Sequence, residues 1–484
     1  MISSIYNQRG NKTRPGLPSL VAAISQQSEI VIRSVPNLSV QLIFSAPDTI
    51  GDIGWNSTGK LIFATTPCIG SVHVWCIDNP EWSCRIETGS TGIHRAEWHP
   101  TSPIHLIVYS EFNTKMDIWN LQEKSKLTLP HVFSELGLFV SNSRKRGLLF
   151  SPPSDSEYDV ATVVDLHYTD SNTGCFKIVS KFALTHKPSE IAGASWLSND
   201  DGFVIWESPL KSCIVQYDLH GNVISKTDMY PDIPHNVVSR PLGVSCVSRN
   251  RDFLCLGTFM NTVQVYSVRG SLKMVAEFSM KESTIVICND NPRIYRESLG
   301  GSATVLERNM YYVGGSGHET HGVEYRTVVP EKSSKIDGLS TVDIPTLDNL
   351  DMRKGSLLHG VIRITMSPDG MYLLCVSHNR PSTAFIYDMS KMTLAYVLIH
   401  RLPIQDAAWS PRVQALRNEL CIATGDIRLL LWSPSEKNRV VNMKDTSFKP
   451  AAVAWASDGA SLIVSDSNRT CSISLEETIS VIGG

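Results

Sequence analysis

The sequence predicts an all-β protein, a single β-propeller ring of about eight to nine four-stranded blades, and three observations predict it. Short apolar strands ending in Trp or Tyr recur in pairs roughly 20 residues apart, tight-turn clusters separate them, and runs with helical period are scarce. An apolar strand that ends in an aromatic suits a blade packed between two neighbours.

The units follow in order. Residues 17–35 read as inner strands of a first blade. The second unit pairs DIGW, ending at Trp55, with SVHVWCID around Trp75, and the third pairs RAEWHP (Trp98) with KMDIWNL (Trp119). Residues 136–166 give an eroded fourth unit. AGASW (Trp196) with CIVQYDL (Tyr217), and LGVSCVS (Val247) with TVQVYSV (Tyr266), make the fifth and sixth. IRITMSPDG (Met366) with AFIYDMS (Tyr387), QDAAW (Trp409) with RLLLW (Trp432), and AVAWASDG (Trp455) complete the series. The Trp residues at 55, 75, 98, 119, 196, 409, 432 and 455 are expected to pack blades. Ser367-Pro368-Asp369-Gly370 has the residues of a tight turn: Pro presets φ, Asp bonds its own backbone, and Gly takes positive φ.

The expected organisation is a flexible N-terminal tail over 1–16, blades one to six over 17–296, an inserted and partly disordered loop over 297–354, and the remaining blades with ring closure over 355–484. The insert is rich in Gly, Ser and charge, with one strand-like run at Val323 to Val329, and deleting about Glu297 to Gly322 is expected to leave the ring folded. Closure is expected to pair N-terminal and C-terminal strands in one blade, because an open ring exposes two sheet edges.

Composition narrows the function classes. With 42% hydrophobic and 19% charged residues the chain holds ample material for a core, and a net charge of −3 gives no general attraction for phosphate backbones. Nucleic acid is therefore not an expected partner. The first fifteen residues lack the apolar core of a secretory signal and no apolar run approaches a membrane span, so the expectation is a cytoplasmic protein without a membrane partner. The 11 cysteines are scattered singly and read as reduced core residues, and the wide spacing of Cys68, Cys76 and Cys84 does not fit a zinc site. No metal or cofactor is expected.

The search for catalytic residues yields none. Gly314 to Gly322, with His318, Glu319 and His321, has neither H-E-x-x-H spacing nor the features of a P-loop or nucleophile elbow, and reads as a polar loop. The basic run Arg144-Lys145-Arg146 is expected in a turn between the second and third strands of blade four, solvated rather than binding. The candidate partner-binding group is Asp78, Pro80, Glu81, Trp82 and Arg85. Asn79-Pro80 forces a turn ahead of an outer strand, which favours an outward Trp82 flanked by charge, the profile of an interface anchor.

The run 71–100, SVHVWCIDNPEWSCRIETGSTGIHRAEWHP, together with MDIWNL at 116–121, resembles the WRAP-type centrosomal and spindle-pole WD-repeat family. ELCIATGDIRLLLWSPSE at 419–436 is similar to that family's penultimate blade, and blade order and length agree over nearly the whole chain. The sequence departs from the WD pattern where no Asp follows Trp75, Trp119 and Trp432, which removes the usual hydrogen-bonded tetrad there. The resemblance implies a non-catalytic adaptor at microtubule-organising centres, in the cytoplasm and cytoskeleton at the centrosome or spindle pole body. It also implies a coiled-coil anchoring partner of the Msd or SSX-interacting type and a minus-end-directed kinesin. A competing expectation is a translation-initiation scaffold bound to the ribosome, since propellers of about nine blades occur there. That reading expects a charged helical tail where this sequence reads Ile482-Gly483-Gly484. A channel enzyme would need convergent carboxylates or histidines, and the sequence shows no such cluster.

Overall fold

The computed structural model describes residues 11–15, 20–25, 27–35, 37–153, 158–167, 176–184, 191–207, 213–230, 243–282, 284–287, 291–299, 310–312, 323–327, 335–336, 339–344, 360–411, 418–434, 439–443, 445–457, 459–466 and 469–475. They form a propeller of nine blades, in which consecutive antiparallel strands run from the innermost outward. Blade two shows the plan: Asp52–Trp55 innermost, then Leu61–Thr66, Ser71–Cys76 and Ser83–Glu87 at the rim. Each second strand is buried on both faces because a blade has a neighbour on either side. Ile62 and Ala64 pack towards blade one, whereas Phe63 packs towards blade three. That is why these strands read as unbroken apolar runs instead of alternating ones.

Nine apolar clusters result, one at each junction between adjacent blades. The expected Ser-Pro-Asp-Gly turn is present in blade seven. Gly370 has φ 74° and its N–H bonds Ser367 O at 2.8 Å, while Asp369 Oδ1 accepts from Met371 N at 2.9 Å and Ser367 Oγ at 2.6 Å.

The tryptophans explain how blades recognise one another. Those that end innermost strands donate their indole N–H to the innermost strand of the preceding blade: Trp98 to Gly54 O (2.9 Å), Trp196 to Phe139 O (2.8 Å), Trp409 to Thr365 O (3.2 Å) and Trp455 to Ala408 O (2.9 Å). Trp55 packs at the junction of blades one and two. Tryptophans on third strands use their ring faces instead. Trp75 stacks on Phe44 of blade one at 5.4 Å, and Trp432 lies 4.9 Å from Tyr396 of blade seven and 6.2 Å from Trp409. Trp119 packs towards blade two and carries Lys126 over its ring at 5.3 Å.

Ring closure departs from expectation. Blade one takes all four strands from the N-terminal region, and Asn11–Thr13, expected in the flexible tail, is its innermost strand. Blade nine has three C-terminal strands, and its rim strand is Met310–Tyr312, from the middle of the chain, antiparallel to Thr470–Ser474. Among the described residues no strand is shared between the two chain ends, and closure there is made by packing and by Ser472 Oγ donating to Val35 O at 2.6 Å.

The region 297–354 contains the strand expected near 323–329, as Val323–Thr327, and further strands where a loop was expected. Arg293–Leu299 runs parallel to the rim strand of blade seven, Thr393–Ile399, and Val323–Thr327 pairs on its far side. Leu339–Asp343 pairs with Thr284–Ile287 and brings Val342 into the core between blades six and seven.

Candidate functional site

In a four-stranded antiparallel blade, first-to-second and third-to-fourth turns share one end of the ring, and the remaining connections share the other. The Trp82 turn joins the third and fourth strands of blade two, so it lies within that blade and not between blades two and three. Trp82 N donates to Asn79 O at 3.0 Å, which places Pro80 and Glu81 at the two central positions of a β-turn; Pro at the first of these is the favoured arrangement. The base of the turn is tied to the neighbouring hairpin by Ile77 N bonding Lys60 O at 2.9 Å and by an exposed Lys60–Asp78 ion pair at 3.5 Å.

Trp82 is 37% exposed, so part of the indole covers the hairpin and part faces solvent. Asp78, Pro80 and Glu81 are exposed beside it. Arg85 stands apart from this group. It lies on the rim strand opposite His73, pairs with Glu87 at 3.1 Å, and, after burial, is the second cause that lowers the His73 pKa. The structure therefore gathers four of the five expected residues into one rigid turn and leaves Arg85 on the adjacent edge.

Arg144-Lys145-Arg146 lies in the turn between the first and second strands of blade four, not the second and third as expected. The innermost strand there, Phe139–Val140, has only two residues, too short to be read from sequence. Arg144 and Lys145 are exposed, but Arg146 is half-buried and donates to Asp200 O of blade five at 2.9 Å. Asp200 also accepts Asn142 N (3.0 Å) and Ser143 N (3.1 Å), so this turn is a brace between blades as well as a charged surface. The Trp82 turn and the basic turn occupy the same end of the ring.

No group of His, Cys, Asp and Glu suited to a metal occurs among the described residues. Segment 314–322 lies outside them. Cys255, Cys375 and Cys421 are fully buried, and burial raises each thiol pKa, that of Cys255 to about 12, which leaves them unreactive.

Two features escaped the sequence reading. His99 and His105 are buried together at the edge of blade three, ring centroids 6.0 Å apart, and Phe176 of blade four meets His99 edge-on at 5.3 Å. Burial lowers both pKa values, that of His99 to about 3, so both rings are neutral. The second is Phe112, which protrudes from the opposite end of the ring.

No family model matches the chain. A curated relative does: WD repeat-containing protein WRAP73 of Mus musculus is 24% identical over 464 residues, a match covering 93% of this chain and 90% of that protein. The chain is thus similar to a WRAP-type WD-repeat protein along nearly its whole length. Among solved structures, a eukaryotic initiation factor overlays with TM-score 0.52 at 10% identity, covering 90% of this chain and 88% of that one. The C-terminal WD40 domain of Sif2 overlays with TM-score 0.45 at 11% identity, covering 97% and 98%. At such identity the initiation-factor likeness is one of fold alone. In this propeller the Trp-to-carbonyl bonds and ring-face contacts are the means by which the repeats join into a ring.

Proposed function

We propose that the chain is a non-catalytic adaptor of the microtubule-organising centre, at the centrosome or spindle pole body. In this reading it holds a coiled-coil anchoring protein of the Msd or SSX-interacting type and, with a minus-end-directed kinesin, helps anchor microtubule minus ends and organise the spindle. The observation that carries the reading is the likeness to WRAP73 along 93% of the chain. The rigid turn at Asp78 to Trp82 is the contact proposed for the anchor, since a part-exposed indole on a proline-fixed turn loses little freedom when it is covered.

The test is co-purification of the tagged chain with the coiled-coil protein, together with imaging of the poles. Trp82→Ala with Glu81→Ala should weaken that association by roughly 2 kcal/mol or more, with an unchanged melting curve. Arg144, Lys145 and Arg146 changed together to Ala serve as the comparison on the same end of the ring. Association that survives the first pair and disappears with the triplet would move the contact to blade four. Co-purification of ribosomal subunits with no pole protein would replace the adaptor reading by the translation one.

A further inference from the structure

Phe112 is 89% exposed, more than any other large apolar side chain among the described residues. It lies in the short connection between the second and third strands of blade three, with φ 55° and ψ 28°, and Asn113 after it also has φ 55°. Bulky side chains seldom adopt this left-handed conformation, so the surroundings must impose it. They do so from both sides. Asn113 Oδ1 accepts Ser134 N and Ser134 Oγ, each at 2.8 Å, and Ser110 Oγ is 3.3 Å from Thr91 Oγ1. The ring is thus held away from the core by two neighbouring connections. In the equivalent turn of blade two Ile69 is also exposed, at 43%.

The connections around Phe112 carry charge of one sign, while Lys115 and Arg95 lie on the strands beside them. From blade one to blade four, the described residues of the connections on this end include Asp48, Glu111, Glu135 and Asp159 and neither Lys nor Arg. Glu111 adjoins Phe112 in the chain, and Glu135 follows the Ser134 that clamps Asn113. The other end of the same blades mixes Arg14, Lys60, Lys124, Arg144 and Lys145 with Asp78, Glu81 and Glu123.

We propose that this end of blades two to four is a second docking surface, whose occupant is a Lys/Arg-rich protein segment with an apolar side chain that packs on Phe112. The exposed ring supplies a fixed anchor, and the carboxylates supply attraction and orientation for a basic segment while repelling acidic ones. Because the Trp82 turn faces the opposite way, one chain can hold two proteins at once. The inference stands on Phe112 and its carboxylates and does not depend on the pole-adaptor reading.

Fluorescence anisotropy on the full chain tests it with two synthetic peptides of equal length, one alternating Lys and Arg around a central Leu-Trp pair, the other with every base replaced by Glu. The basic peptide should bind, more weakly as salt rises, and at least tenfold more weakly to Phe112→Gly, a variant whose glycine adopts this φ freely and so keeps the melting temperature. Glu111→Lys with Glu135→Lys should weaken binding and flatten the salt dependence, and Trp82→Ala should leave it unchanged. Equal binding to the wild type and Phe112→Gly, equal binding of the acidic peptide, or no binding of either would overturn the proposal. So would a self-association abolished by Phe112→Gly, because the occupant would then be a second copy of the chain.

Discussion

The junction between blades seven and eight and the junction between blades nine and one bear the same geometric duty with different materials. The first buries Leu374, Ile386, Leu420 and Trp432 among others and surrounds the indole of Trp432 with Tyr372, Tyr396 and Trp409. Among the described residues the second gathers Val21, Val35, Leu38, Ala456 and Ile463, with the Ser472–Val35 hydrogen bond beside them. Junctions between sequential blades are therefore held by large aromatic interlocks, and the closing junction by small aliphatic contacts and one polar tie. A ring cannot open at one place without breaking that junction, so its weakest seam determines where it opens first.

Trp432→Ala should have the largest effect, roughly 3–5 kcal/mol, because it leaves a cavity in the most aromatic seam. Chemical denaturation would show it, and a loss below about 1 kcal/mol would erase the contrast between the seams. A smaller, local effect is expected from deleting residues 300–322, which removes the rim strand of blade nine. The sequence alone predicts a neutral deletion. The structure predicts faster hydrogen exchange in Ser461–Ser465 and Thr470–Ser474 than in Leu420–Ala423 and Arg428–Trp432, with a melting temperature above that of Trp432→Ala. Equal exchange in blades eight and nine would show that Met310–Tyr312 does not support the closing blade.

The smallest effect is acidification, which should act on sequential seams and spare the closing one. His99, at the blade three to four seam, and His400, beside blade eight, both have pKa values lowered by burial to about 3. With the folded pKa below the unfolded value of about 6.5, the unfolded chain binds more protons on acidification. Stability is thus full above about pH 6.5 and falls as pH drops from there towards 3. Melting curves from pH 7 to 5 should shift downward by a few degrees, and His99→Asn, whose amide oxygen can accept the Thr101 bonds, should make the slope shallower. A slope unchanged in that variant would assign the acid sensitivity elsewhere.

The ring itself was legible because double-sided burial writes long apolar runs and because Trp ends the inner strands of blades two, three, five, eight and nine. Where a strand is very short, that signal fails. Phe139–Val140 has two residues, so the basic turn behind it was placed one connection too late in the blade. Met310–Tyr312 carries no repeat signature, and only spatial proximity assigns it to blade nine. The Trp82 turn was readable from Asn-Pro chemistry, whereas the partner of Arg85 was not, since Glu81 and Glu87 are both near it in sequence. Phe112 was missed for a different reason. An aromatic within a five-residue connection reads as a core contact unless the backbone angle that turns it outward is known.

The tie from Ser472 to Val35 joins residues 437 positions apart in the chain. At the roughly 5–20 residues per second of protein synthesis, the first blade waits on the order of 20–90 s for the residue that will close the ring on it. Through that interval the nascent chain is an open arc whose leading face, including Val21 and Val35, is wet and available to other apolar surfaces. Contacts of such long range also form late in refolding, since a large loop must close before they reward it. The face of the first blade that meets blade nine thus stays uncovered longest during synthesis, which makes it a point of capture for chaperones.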